Sequence, residues 1–405
     1  MQRDGDILIL SNGHGEDAVG SRIARALIRK QPNIAVLAYP TVGDGAAYTT
    51  SAIRLHGSRT QMPSGGLTFG SPRLLWRDLR AGLPMQIGRQ LRELRATRVS
   101  TVVTVGDVWA EILGSFPRAQ SRHAVQTLVT SATEEGGTRF GMHTFRDRFT
   151  LLERSVLRMR YQSVFVRDEA TMRRLGAAGI RNVQAPGNPM LDGLEASPLA
   201  WDAPRPRVAL LPGTRAWAAS SLPLMCDALA RLPAAYGAVA WAGNETPEPP
   251  TGWTQDQVEP GILRWRKGAA EVRLYPDHFA HILAWADVVL GTSGTAQEQA
   301  VGVGVPVLTF AHGSGFTTSF LAKQRRLLGD AIEIVPAAAE AVAAALAALL
   351  ADPVERERRA EIGRQRMGRP GGSDAIADAI LAGFDGYDGE SDASRGVHMT
   401  SEVNP

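Results

Sequence analysis

Small side chains cluster at Gly291-Thr292-Ser293-Gly294-Thr295, where the apolar strand of ADVVLGTSGTAQEQAVGVGVPVL (286–308) gives way to a helix. Because Gly291, Ser293, Gly294 and Thr295 lack bulk, an anion can approach the main chain there. The first N–H groups of the helix have no internal partner and carry partial positive charge, so the turn suits a diphosphate. No Lys follows the glycines as in a P-loop, and the spacing is not Gly-x-Gly-x-x-Gly, which disfavours ATPase and NAD chemistry. A second turn of this kind, Leu211-Pro212-Gly213-Thr214-Arg215, sets small residues and a cation after another apolar strand. Arg215 there can grip a pyrophosphate through paired hydrogen bonds, the alternative being a surface ion pair.

Groups able to move a proton lie nearer the start of the chain. Ser11-Asn12-Gly13-His14-Gly15-Glu16-Asp17 follows the first apolar run, and open α/β sheets bind ligands outside the carboxyl ends of their strands. His14 or Glu16 can serve as a general base if partly desolvated, or Asp17 can cap the helix with His14 merely solvated. Asp107, in Val105-Gly106-Asp107-Val108-Trp109, is either a second candidate base or the cap of the helix that follows. The eight His residues form no HExxH pattern, and no Asp-rich metal loop or Gly-x-Ser-x-Gly elbow occurs. No metal or other cofactor is expected.

Elements that can position these turns alternate along the chain. Strand-like runs at 6–10, 101–105, 126–130, 163–166, 208–211, 238–242, 287–290 and 305–310 are separated by helical patterns, which argues for parallel sheets covered on both faces. Residues 193–206 are rich in Pro and Ala without periodicity and read as an interdomain linker. Two Rossmann-like α/β domains facing a central cleft are therefore expected, at 1–195 and 205–370. A C-terminal helix should follow at 371–384, with a disordered tail at 385–405.

Composition narrows the classes. With 44% hydrophobic and 21% charged residues the chain is globular, and a single Cys226 excludes an intrachain disulfide framework. A net charge of +3 over 405 residues makes no case for nucleic acid. No secretory signal or 20-residue apolar span is visible, so a cytoplasmic protein is expected. Local charge is more telling. Between Arg73 and Arg98, seven arginines, among them Arg77 and Arg80, are interleaved with Leu74, Leu75, Trp76, Leu79 and Met85.

Taken together, these segments resemble the lipid-A-disaccharide synthase family within the GT-B glycosyltransferases, which also include the peptidoglycan N-acetylglucosaminyltransferase. LLPGTR is similar to that family's LLPGSR, and ADVVLGTSGTA with GVPV resembles its ADAxLxxSGTAxLE with GxPMVV. APGNPMLDGL at 185–194 looks like its VGHPMxD, and SNGHGEDAVGSRIARAL like its glycine-rich opening. The resemblance implies an inverting transferase that needs no metal. Its UDP-sugar donor would be held by the C-terminal domain and its lipid-linked acceptor by the N-terminal one. It carries Gly213, Thr214, Arg215, Ser293, Gly294 and Thr295 over as donor ligands.

The family's ribose-binding Glu falls on Gln299 in a gapless alignment, with Glu298 one position earlier. Of its Asp-x-Pro-Asp segment only Asp107 is matched, Ala110 replacing the second acid. His14 resembles the histidine of the peptidoglycan enzyme's glycine-rich loop.

Under this resemblance Arg73, Trp76, Arg77 and Arg80 gain a role at the acceptor's membrane, holding the protein peripherally against the inner face. The alternative is a surface helix with snorkelling arginines. A UDP-sugar 2-epimerase and a non-catalytic nucleotide-sugar binder are the competing functions.

Overall fold

The computed structural model describes residues 4–58, 76, 79–80, 82–126, 129–136, 149–213, 218–243, 245–313 and 316–392. Two sheets divide the chain. The first is wholly parallel, in the order β3-β2-β1-β4-β5-β6-β7, from β1 (Ile7–Ser11), β2 (Val36–Pro40), β3 (Arg54–Leu55), β4 (Thr101–Val105), β5 (Ser121–Gln126), β6 (Ser163–Val166) and β7 (Val183–Gln184). Its central strands read ILILS and TVVTV and are buried throughout, because helices cover both faces. Ile7, Ile9, Val103, Val105 and Phe165 pack on one face with the helix His14–Lys30, while Leu8, Leu10, Val102 and Leu94 pack on the other.

The second sheet runs β10-β11-β12-β9-β8-β13-β14-β15. Its strands are β8 (Arg207–Leu211), β9 (Ala235–Trp241), β10 (Thr254–Glu259), β11 (Ile262–Lys267), β12 (Ala270–Pro276), β13 (Val288–Gly291), β14 (Val307–Thr309) and β15 (Ile332–Ile334). Here the expectation of parallel strands alone needs correction, for β10, β11 and β12 form an antiparallel edge. Only Trp265 and Ile262 of β11 are buried among charged neighbours, a pattern too polar to read as a covered strand. The turns at Pro260-Gly261 and Gly268 were the available signal.

Two further boundaries differ from expectation. The fifth strand lies at Ser121–Gln126 rather than 126–130, because its polar start is satisfied locally. Arg122 donates to the carbonyls of Gly114 and Pro117, and Ser121 pairs with Thr101 at 2.7 Å. The last helix spans Gly372–Asp392, past the point where disorder was expected at 385. Ile376, Ala377 and Ile380 anchor it in the first core, and adding turns to a formed helix costs little.

That helix crosses back to the N-terminal unit. Lys30 pairs with Asp378 at 2.8 Å, and Arg29 with Asp374. The crossing segment is pinned by Asn188 and Asp192 of the GNPMLD stretch. Asn188 Nδ2 donates to Met367 O at 2.8 Å, and the Asp192 carboxylate accepts from the N–H groups of Gly371 and Ser373. Among the described residues no helix is long and apolar enough to cross a membrane.

Candidate functional site

The expected turns lie at the carboxyl ends of parallel strands in the two sheets, the edge at which open α/β sheets bind ligands. On the C-terminal side the turn after β13 is braced from beneath. Gln297 Nε2 donates to Gly291 O at 2.6 Å and to Thr309 Oγ1 at 3.0 Å, and Thr292 Oγ1 lies within hydrogen-bond distance of Pro212 O and Ser221 Oγ. These bonds hold the strand end and leave the helix Gly294–Gly302 with an N-terminus that no side chain caps and whose first turn contains no acid. Thr295 is exposed, and Ser293 and Gly294 are half-buried. The first N–H groups of this helix have no partner within it and carry partial positive charge.

Neighbouring turns close tightly around this one. A Cβ on Gly213, whose φ is +93°, would sit 3.0 Å from the Cβ of Ser293. One on Gly294 would sit 2.9 Å from the ring of Phe320, on the helix Thr318–Leu328. His312, after β14, contacts Ser220 Oγ at 2.9 Å beside these turns, a polar pair that sequence reasoning missed because nothing in FAHGSG marks it. Thr214 and Arg215 lie outside the described residues.

Gln299 and Glu298 part company. Gln299 is buried, and its amide donates at 2.9 Å to Met190 O of the N-terminal unit. Glu298 is only half-buried and accepts from Gln324 Nε2 at 3.0 Å. Successive helical residues point 100° apart, so one ties the two units together while its neighbour leans over the helix start.

On the N-terminal side the polar groups are mostly turned inward. Ser11 Oγ donates to Asp17 Oδ1 at 2.6 Å and lies 2.8 Å from the Tyr48 hydroxyl, a fully buried trio. Burial raises the Asp17 carboxyl to about 6 despite the Ser11 bond, with the nearby Asp44 adding to the rise. Glu16 is buried too, folded so closely over Gly13 that a Cβ there would meet its carboxylate at 2.3 Å. His14 is exposed and lies over Gly43 at the end of β2. Of the three groups in this turn able to take a proton, His14 alone faces solvent.

Asp107 caps the helix Val108–Gly114, accepting from Trp109 N at 3.0 Å, and the same oxygen accepts from Asn12 Nδ2 at 2.5 Å. Asn12 crowds Gly106, which has φ +142° and whose Cβ would fall 1.9 Å from Asn12 Oδ1. The turns after β1 and β4 are thus locked to one another. Behind them, Gln126 Nε2 donates to both Glu111 Oε1 and Glu153 Oε1. Both carboxylates are buried, so desolvation first and the charge of Glu153 second push the Glu111 carboxyl well above its usual range. No spacing in the sequence announces this pair of acids, which Gln126 bridges.

The basic segment is divided. Toward its end Leu94 is in the core and Arg95 stacks on Phe116 at 4.9 Å, as in a snorkelling surface helix. Toward its start Trp76 and Met85 are 63% and 67% exposed, and Arg80 lies 5.8 Å from the Trp76 ring. Arg73 and Arg77 lie outside the described residues. Among the described residues no group of His, Cys, Asp and Glu has the arrangement of a metal site.

No protein-family model matches this chain, and no curated protein does. Solved structures do. A calicheamicin glycosyltransferase is similar at a TM-score of 0.59 and 16% identity, covering 94% of this chain and 98% of its own. MurG of Acinetobacter baumannii is similar at 0.56 and 13%, covering 93% and 99%. A UDP-GlcNAc 2-epimerase of Neisseria meningitidis, solved bound to UDP-GlcNAc, is similar at 0.52 and 13%, covering 93% and 100%. At such identities the likeness is one of fold, and that fold is the paired Rossmann arrangement of GT-B proteins.

Proposed function

We propose that the protein is an inverting glycosyltransferase that moves a hexosamine-type sugar from a UDP-sugar to a lipid-linked acceptor, in the manner of lipid-A-disaccharide synthase. One observation carries the reading most directly. The N-terminus of the Gly294–Gly302 helix, uncapped and with no acid in its first turn, lies at the carboxyl edge of the second sheet, where it can take up the charge of a departing diphosphate. Ser293, Gly294 and Thr295 would contact the phosphates, with Gly213, Thr214 and Arg215 beside them, and no metal would be required. Glu298 suits the ribose better than Gln299, whose amide is already committed to Met190.

Across the cleft, His14 would remove the proton of the acceptor hydroxyl as that oxygen attacks the anomeric carbon in line. Its exposure supports this choice over Glu16 and over Asp107, which serves as cap and as acceptor for Asn12. Asp107 would keep the His14 turn in place through Asn12. The exposed Trp76 and Met85 beside Arg80 support a peripheral contact with anionic lipid, where a lipid-linked acceptor resides. The test is transfer of label from UDP-N-acetylhexosamine into a lipid extract, after a thermal-shift panel of nucleotides. A ligand at ~100 times its Kd adds about 2.7 kcal/mol of apparent stability. Absence of a shift with every uridine nucleotide would reject the donor.

A second reading is favoured by the similarity to UDP-GlcNAc 2-epimerases. Incubation with UDP-N-acetylhexosamine without acceptor separates the two, because an epimerase would yield the 2-epimer and a transferase would not. A protein that binds the nucleotide sugar and turns over neither way would be the non-catalytic binder.

A further inference from the structure

A buried cation stands outside the roles described so far. Arg167 follows directly on β6, at the same carboxyl edge of the first sheet as Asn12 and Asp107. It is 4% exposed, yet none of its three guanidinium nitrogens has a hydrogen-bond partner. Its one ion contact is loose, with Nη1 3.8 Å from Glu298 Oε2. Burial pushes its pKa down, Glu298 and Asp168 oppose that shift, and Arg366 adds to it. Both acids are partly engaged elsewhere, and only Glu298 Oε2 faces Arg167, at a distance too long for a hydrogen bond. Both oxygens of Asp168 accept from Thr171, and Glu298 Oε1 accepts from Gln324. A guanidinium removed from water without hydrogen bonds is costly, so its N–H donors call for acceptors that none of the described residues supplies.

The surroundings indicate which acceptors. Glu298 lies one helical turn after Gly294, and helical side chains lean toward the N-terminus, so its carboxylate sits over the uncapped turn. Gln324, which holds Glu298, lies 3.7 Å from where a Cβ of Gly294 would be. Arg167 is therefore directed at the flank of the helix end that offers its N–H groups. A phosphate carries more charge than a carboxylate and presents two oxygens to the planar guanidinium fork.

The geometry points to Arg167 as a ligand-binding residue for the phosphate groups of the nucleotide, contributed by the N-terminal sheet and held by Glu298 until a phosphate displaces that carboxylate. This rests on the reading of the Gly294 turn as the diphosphate seat. It gives the N-terminal unit a direct hold on the donor, so that nucleotide binding draws the two units together.

Calorimetric titration of UDP and of uridine into wild type, Arg167→Lys, Arg167→Gln and Glu298→Gln tests it. Uridine lacks phosphates, so the ratio of its Kd to that of UDP isolates their contribution. That ratio should fall at least ~10-fold in Arg167→Gln and severalfold in Arg167→Lys, which keeps the charge and loses the fork, with uridine affinity unchanged. Glu298→Gln should weaken uridine, by loss of the proposed ribose contact, and raise that ratio a few-fold, because the carboxylate that competes with phosphate for Arg167 is gone. A merely structural Arg167 would move both ligands together and leave the ratio intact, which overturns the inference. Should the Gln variant not fold, the Lys variant decides by the same ratio. If wild type binds neither ligand, the diphosphate reading falls and the inference with it. If wild type prefers UDP and the Arg167 variants do so equally, the inference alone falls.

Discussion

The turn after β1 and the turn after β13 share one construction and differ in a single respect. In each, the fourth helical residue reaches back to the last residue of the strand, Asp17 to Ser11 in the first and Gln297 to Gly291 in the second. The residue before it is Glu16 in one and Ala296 in the other. The first helix thus carries two acids in its first turn, whereas the second carries none there. A neutral brace fixes the strand end equally well and leaves the helix charge for a ligand. That difference supports the proposal that anions bind at the second turn, with proton transfer and acceptor recognition at the first.

A clean separation of roles gives the largest expected effect. His14→Ala should lower the rate of sugar transfer by roughly 10² to 10⁴ while leaving the thermal shift with UDP unchanged. Steady-state kinetics beside a melting curve checks both halves, and an unaltered kcat would remove His14 from the chemistry. The converse comes next. Ala296→Glu, which copies Glu16 into the second turn, should weaken UDP by about 10- to 100-fold, the scale of a charge-assisted hydrogen bond. Retained affinity would mean that nucleotides bind elsewhere.

Much of this contrast was legible in the sequence, and the reasons are local. Small residues between an apolar strand and a helix mark the Gly291–Thr295 turn because that pattern has few other uses. Asp107 was equally readable as cap or base, since an acid after a strand serves either purpose, and the structure shows the cap without testing the base. Arg167 was not readable. In VFVRDEAT it looks like any charge at a helix start, and only its burial beside Glu298, 131 positions later in the chain, sets it apart. The polar hairpin edge of the second sheet escaped for a related reason, because its strands pair with each other and bury few side chains.

Two smaller effects probe how tightly the first turn is closed. Gly106→Ala forces a Cβ against Asn12 at a φ that side chains resist, and should cost about 2 to 3 kcal/mol in urea unfolding. Little or no loss would show that the Asn12–Asp107 lock is pliable. Asp17→Asn addresses the buried carboxyl. With its folded pKa raised to about 6, the folded state holds a proton that the unfolded state releases nearer 4. The contribution of Asp17 is therefore full below about pH 4 and is lost as pH rises through about 6. The Asn variant should gain stability relative to wild type over that interval and hold the gain at pH 8. A difference that stays flat with pH would contradict the raised pKa.

A crystal structure of the protein with UDP tests the central claim most directly. The account predicts the diphosphate within hydrogen-bond distance of the main-chain N–H groups of Gly294 and Thr295. A nucleotide whose phosphates lie instead at the helix starting with His14, or away from both turns, would contradict it.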